Sequence, residues 1–174
     1  EMLELCEKYE LDSIVDAMSS FAGLPIDLQK QPIDYLISSS NKCIQGMAGV
    51  SFVIANKERL EATSNVQPRN LYLNLWGNHS YIEQTGQFQF TPPVQIVYAL
   101  NQALDEFFKE TQSGRTARYV KSYETLLKGI EETGLEMLLP ESQHSKLLTS
   151  IVEPKSNEYN FKEMHDHFYE NDVT

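Results

Sequence analysis

Apolar side chains recur at helical spacing through residues 2–9 and predict the end of a helix. Ser13-Ile14-Val15-Asp16-Ala17-Met18 is a short apolar run that closes in polar residues. It predicts a buried parallel strand with functional groups at its C-terminal end. Phe21-Ala22-Gly23-Leu24-Pro25 predicts a turn. Residues 33–37 predict a second strand, which runs into the polar stretch Ser38-Ser39-Ser40-Asn41-Lys42. Residues 49–55 predict a third strand, after which Asn56 can cap a helix through about Thr63. Strands alternating with short connections and helices predict an α/β sheet.

Residues 67–90 are rich in Asn, Gln and aromatics and are interrupted by Gly77 and Gly86. They predict loops and short helical turns. Thr91-Pro92-Pro93 starts a clear helix, since proline suits the first turn. Ile96, Val97, Leu100, Leu104, Phe107 and Phe108 form its apolar face. Ser113-Gly114 predicts a break. A second amphipathic helix follows over residues 115–132, with Tyr119, Tyr123, Leu126, Leu127 and Ile130 on one side and Gly134 at its end. Residues 136–139 and 147–152 are short strand candidates. A polar connection leads from them to a helix over residues 161–169, and this last piece predicts a second domain, cut short.

With 174 residues, the chain suits one domain or one and a half. Its 41% hydrophobic and 22% charged residues are those of an ordinary globular protein. No run approaches the roughly 18–20 apolar residues of a membrane span, and the acidic, amphipathic start is not expected to be a signal peptide. The net charge of −11, 25 acids against 14 bases, argues against a nucleic-acid partner. Cys6 and Cys43 make no metal or redox spacing, and a reducing cytoplasm is expected. The chain starts as if inside a helix and stops without a cap or polar tail, so it is expected to be a piece of something longer.

The most reactive groups lie at two predicted strand ends: a carboxylate at Asp16 and an amine at Lys42. Ligands of open α/β sheets bind beyond the C-terminal ends of strands. A lysine that can form an imine with an aldehyde, and a carboxylate that can keep a pyridine nitrogen protonated, are what pyridoxal-phosphate (PLP) chemistry requires. Spacing alone does not separate this from two surface charges.

Val15-Asp16-Ala17-Met18-Ser19-Ser20-Phe21 and Ser39-Ser40-Asn41-Lys42-Cys43-Ile44-Gln45-Gly46 resemble the cofactor motifs of the class V aminotransferases of PLP fold type I. The resemblance runs over essentially the whole chain. It is strongest to members that move an amino group from 2-aminoethylphosphonate to pyruvate, giving phosphonoacetaldehyde and alanine. Members that use alanine with glyoxylate, or serine with pyruvate, usually carry Gln where this chain has Asn41. The resemblance implies an α/β fold: residues 1–112 as the C-terminal part of a mainly parallel PLP-binding large domain, and residues 113–174 as an incomplete small α+β domain. It implies Lys42 as the Schiff-base lysine and proton carrier, and Asp16 as the partner of the ring nitrogen. Met18 would lie against one ring face, and Asn41 would touch the phosphate. Thr91 would reach the phosphate held by the neighbouring subunit of a homodimer. Alanine–glyoxylate members often place a tyrosine three residues before this threonine, where this chain has Phe88.

Each of these residues has a plainer reading. Met18 could be core packing, Thr91 an N-cap and Ser38-Ser39-Ser40 a loop. Cys43 reads as a small buried side chain. His165 and His167 stand two apart on a helix and point in different directions, so they and His144 read as surface histidines and not as metal ligands. Asn78-His79 has no fixed role. The family's phosphate-binding loop and ring-stacking aromatic precede the matched region, and its carboxylate-binding arginine follows Thr174; Arg69, Arg115 and Arg118 do not match that arginine. The expectation is an aminotransferase acting on an amine and a 2-oxo acid, with this chain inactive by itself. The rival of another class is a non-catalytic dimerisation or scaffold module.

Overall fold

Leu36, Ser38 and Ser40 alternate along one stretch of chain, and all three are fully buried. They mark the inward face of the strand around which the first part of the molecule is built. The computed structural model describes residues 1–156 and 158–173; Asn157, in the polar connection, and the terminal Thr174 lie outside the described residues. The chain divides into two units, Glu1–Arg118 and Tyr119–Thr174.

The first unit begins with α1 (Met2–Lys8) and holds a three-stranded sheet of order β1-β2-β3. β1 (Ile14–Asp16) runs parallel to β2 (Tyr35–Ser39), pairing Ile14 with Tyr35 and Asp16 with Ile37. β3 (Ser51–Ala55) returns antiparallel, pairing Tyr35 with Ala55 and Ser39 with Ser51. The connection from β2 to β3 carries Lys42. At the start of the sheet, Ser13 Oγ accepts from the Asp34 amide (2.8 Å), while Asp34 Oδ2 accepts from the Ser13 amide (2.8 Å). This reciprocal pair fixes the register of β1 on β2. The expectation of a buried β1 is corrected: Ile14 is 69% exposed. β1 is an edge strand, and Ile14 faces an open cleft of about 600 Å³ shared with Tyr35, Ile37 and Val53.

Asn56 caps α2 (Lys57–Ala62) by accepting the Arg59 amide at 3.2 Å, as its residue type predicts. Residues 67–90 are not all loop, because α3 (Leu75–Thr85) lies within them. Asn74 caps it through the Gly77 amide (3.0 Å), and Gly86, at φ +68°, closes it in the left-handed conformation. α4 (Val94–Glu110) follows the Thr-Pro-Pro start. Ile96, Leu100, Leu104 and Phe107 face inward as predicted, while Val97 and Phe108 are exposed, contrary to the prediction, and Ala103 is the residue fully buried. The break before α5 (Gln112–Thr133) falls at Thr111, not at Ser113-Gly114. Thr111 takes φ +69°, and its amide still closes α4 onto Phe107 O at 2.8 Å.

The second unit contains the rest of α5, where Tyr123 and Ile130 are buried. Gly134, at φ +67°, ends the helix as expected. The two strand candidates meet only as a single antiparallel bridge, Met137 with Ile151. Its flanking hydrogen bonds join Leu138 to Ser150 and Val152 to Glu136. α6 (Phe161–Glu170) is capped by Asn160, which accepts from the Lys162 and Glu163 amides.

Candidate active site

Parallel pairing brings the ends of β1 and β2 to the same sheet edge, so Asp16 and the segment carrying Lys42 leave the sheet side by side. Asp16 is the last residue of β1, exposed and on the same face as its partner Ile37. Its Oδ1 accepts the Met18 amide at 2.9 Å, an Asx-type turn that orients the carboxylate. Its other oxygen has no hydrogen-bond partner among the described residues. Three further bonds tie this segment to the next. The Ala17 amide donates to Ile37 O (2.9 Å), Ser38 Oγ donates to Ala17 O (3.3 Å), and Cys43 Sγ donates to Ser19 O (3.3 Å). Cys43 is therefore a buried tether, in keeping with its small-side-chain reading. Ser38 and Ser39 belong to β2 and are not loop residues.

Lys42 sits on a turn closed from both sides. The Gln45 amide donates to Lys42 O at 2.8 Å, and the Gly46 amide donates to Ser40 O at 2.8 Å. Gln45 holds φ +68°, a left-handed conformation that reverses the chain sharply. Glycine at position 46 is needed for space: a Cβ there would lie 2.9 Å from Ser40 O. The Lys42 side chain is exposed, and its amine has no ion-pair or hydrogen-bond partner among the described residues.

Beneath this turn lies Arg115, the buried charge that sequence reasoning passed over. It is 2% exposed and donates through Nη1 to Cys43 O (2.7 Å) and Ile44 O (3.1 Å). Its Nε bonds Glu110 Oε2 at 2.6 Å, and its guanidinium lies 5.1 Å from the centre of the Phe107 ring. Arg118 grips the same carboxylate through Nε at 2.7 Å. Hydrogen bonds from Arg118 and Arg115 hold the Glu110 carboxyl down from 4.5 to about 2. A signal existed in the sequence. Arg115 stands four residues before Tyr119 and eight before Tyr123, so it extends the apolar stripe of α5 where a charge needs a buried partner.

Of the other predicted residues, Met18 and Asn41 share this edge. Met18 is 37% exposed and so is not core, and Asn41 Oδ1 accepts from Ser39 Oγ at 3.0 Å. Thr91 lies apart, exposed in the stretch before α4. It does not cap that helix: the N-cap position is Pro93, with no side-chain cap bond. His144 is half-buried and corrects the surface reading. Its Nε2 lies 2.7 Å from Leu139 O and its Nδ1 lies 2.6 Å from the Tyr123 hydroxyl. The carbonyl can only accept, which puts the proton on Nε2 and leaves Nδ1 to accept from Tyr123 when the ring is neutral. His165 is exposed beside Asp166. Among the described residues there is no metal-binding cluster, and no helix is long and apolar enough to cross a membrane.

The family model for aminotransferase class-V matches residues 1–166. The 2-aminoethylphosphonate–pyruvate transaminase of Pseudomonas fluorescens (strain Pf0-1) is 37% identical over 167 residues, 95% of this chain and 45% of that protein. The transaminase of the same name from Klebsiella pneumoniae is 41% identical over 163 residues, 92% of this chain and 44% of that protein. Among solved structures, alanine–glyoxylate aminotransferase from Nostoc sp. superposes with a TM-score of 0.83 at 22% identity, over 98% of this chain and 45% of that one. The aspartate aminotransferase of Thermus thermophilus gives 0.82 at 22%, over 97% and 46%. The chain thus spans about 45% of the length of the curated relatives it matches. With a family match over nearly all its residues, and the fold of those solved aminotransferases, the chain belongs to the class-V aminotransferases.

Proposed function

We propose that this chain carries the cofactor-bonding half of a PLP-dependent aminotransferase, and that the whole protein moves the amino group of 2-aminoethylphosphonate to pyruvate. One observation carries the cofactor reading. Asp16 ends one of two hydrogen-bonded parallel strands and Lys42 lies just beyond the end of the other, each with a reactive atom that no described residue engages. The donor set fits the group: an exposed amine for its aldehyde, and a carboxylate oriented by its own turn for its ring nitrogen. The names of the relatives at 37% and 41% identity support the donor and acceptor. Residues 1–112 are read as large domain, residues 113–174 as part of the small one, and the enzyme as a cytoplasmic homodimer.

When bound, PLP supplies an electron sink for the substrate α-carbon. The roles of the chain's own residues follow from their chemistry. Lys42 would hold the cofactor through its aldehyde, and its amine would serve as the proton carrier at the substrate α-carbon. Asp16, with one oxygen left open beside the Met18 amide, would keep the ring nitrogen protonated. Met18 would cover one face of the ring, and Asn41 would lend its amide to the phosphate. Thr91, whose hydroxyl is not used as a helix cap, serves the phosphate of the neighbouring subunit. Two substrates must be positioned in turn against one cofactor. The 174-residue chain by itself is therefore inactive in this reading.

Assay of the whole protein with 2-aminoethylphosphonate and pyruvate tests the reading. Formation of alanine and phosphonoacetaldehyde is expected. Turnover only with alanine and glyoxylate, or with serine and pyruvate, would replace the substrate. No cofactor absorbance and no turnover with any donor would leave a scaffold module.

A further inference from the structure

Lys42 gains no hydrogen bond at its amine, so its direction depends on the backbone that presents it. Besides the turn's own backbone bonds and the Cys43 tether, that backbone is held by one buried side chain. Arg115 donates to the carbonyls of the two residues that follow Lys42, at 2.7 and 3.1 Å. Arg118, beside it on the helix, donates to Gln45 Oε1 at 3.2 Å. The guanidinium is itself fixed by Glu110 and by the face of Phe107. The planar fork matters, because it can serve two carbonyls and a carboxylate at once from a fixed plane.

We propose that Arg115 is a positioning residue for Lys42: clamped by Glu110, its guanidinium fixes the 42–46 turn and so sets where the lysine amine points. The proposal rests on the reading of Lys42 as the cofactor-bonding lysine. Glu110 stays ionised well into acid, so the clamp persists across the working pH of such chemistry. Arg115 touches neither substrate nor cofactor in this account and acts only through the turn.

The test uses the whole protein with added PLP and borohydride, and maps the reduced adduct by mass spectrometry. Amide hydrogen exchange over residues 42–46 is measured alongside. Arg115→Met keeps the volume and removes the donors, while Arg115→Lys keeps the charge and loses the fork. In the unsubstituted whole protein, Lys42 is expected to label in preference to the surface lysines Lys57 and Lys128. In Arg115→Met the Lys42 share should fall about tenfold relative to those two, with faster exchange at residues 42–46, and Arg115→Lys should lie between. If Arg115→Met folds, as read by circular dichroism, yet keeps the original Lys42 share, the proposal is overturned. If Arg115→Met does not fold, the soluble Arg115→Lys decides in the same way. An unsubstituted whole protein that shows no preference for Lys42 would overturn the cofactor reading itself and the inference with it, an outcome distinct from a variant that matches a labelled parent.

Discussion

Gly46→Ala puts the tightest point of the Lys42 turn under load. A Cβ on residue 46 would stand 2.9 Å from Ser40 O, whereas ordinary contact begins at 3.4 Å. The obstacle is backbone, and that same carbonyl accepts the Gly46 amide at 2.8 Å. Ala103 Cβ already stands in ordinary contact at 3.5 Å. Separating the two atoms by about half an ångström lengthens the bond that closes the turn. Overpacking of this kind costs about 1–3 kcal/mol. For a unit of this size that is a fall of roughly 3–12 °C in melting midpoint. Thermal and urea denaturation followed by circular dichroism would read it. Gly129→Ala is the control of opposite sign, because a Cβ there meets nothing within 4 Å and the site is mid-helix in α5. That change should stabilise by about 0.5–1 kcal/mol. Equal midpoints for Gly46→Ala and the unsubstituted chain would refute the steric account of the turn.

Three further outcomes are expected. Asp16→Asn keeps an oxygen for the Met18 amide and removes the charge, so stability should hold within about 0.5 kcal/mol while absorbance of added PLP at the lysine-bound band weakens; an unchanged band would remove Asp16 from the cofactor's partners. Asn74→Ala removes the cap of α3 and should cost about 1 kcal/mol, seen as lost helical signal and a lower urea midpoint. The depressed Glu110 carboxyl gives the acid limb a sign: its contribution is full above about 4.5, the ordinary value, and is lost as pH falls toward about 2. Melting midpoints should therefore drop over that window, and the drop should be shallower in Glu110→Gln. An identical acid limb in both proteins would show that the clamp contributes nothing there.

Much of this fold could be read along the chain, for reasons that differ by element. β1, β2 and β3 announce themselves as short apolar runs, and α4 by a proline start and an inward stripe. The strand ends carrying Asp16 and Lys42 were legible for the same reason. α3 was hidden because it is barely amphipathic, and its evidence lies in its ends, Asn74 and Gly86. Gly77 looked like a breaker, yet it sits in the first turn where Asn74 needs its amide. Thr111 disguised the α4–α5 break, since a threonine at positive φ has no compositional signal. In the second unit, residues 136–139 and 147–152 have strand composition but pair only through one bridge. Arg115 is the instructive miss. A charge count treats it as one base among fourteen, and only its place on the buried stripe of α5 reveals that it must have partners.

The central claim is that Lys42 is the lysine that bonds PLP, and adduct mapping tests it most directly. The 174-residue chain and the whole protein would each be incubated with PLP, reduced with borohydride, digested and analysed by mass spectrometry. The account predicts a single dominant adduct on Lys42 in the whole protein, and Lys42 favoured over Lys57 and Lys128 in the chain alone. Adducts spread evenly over surface lysines in both, with Lys42 unmarked, would contradict it.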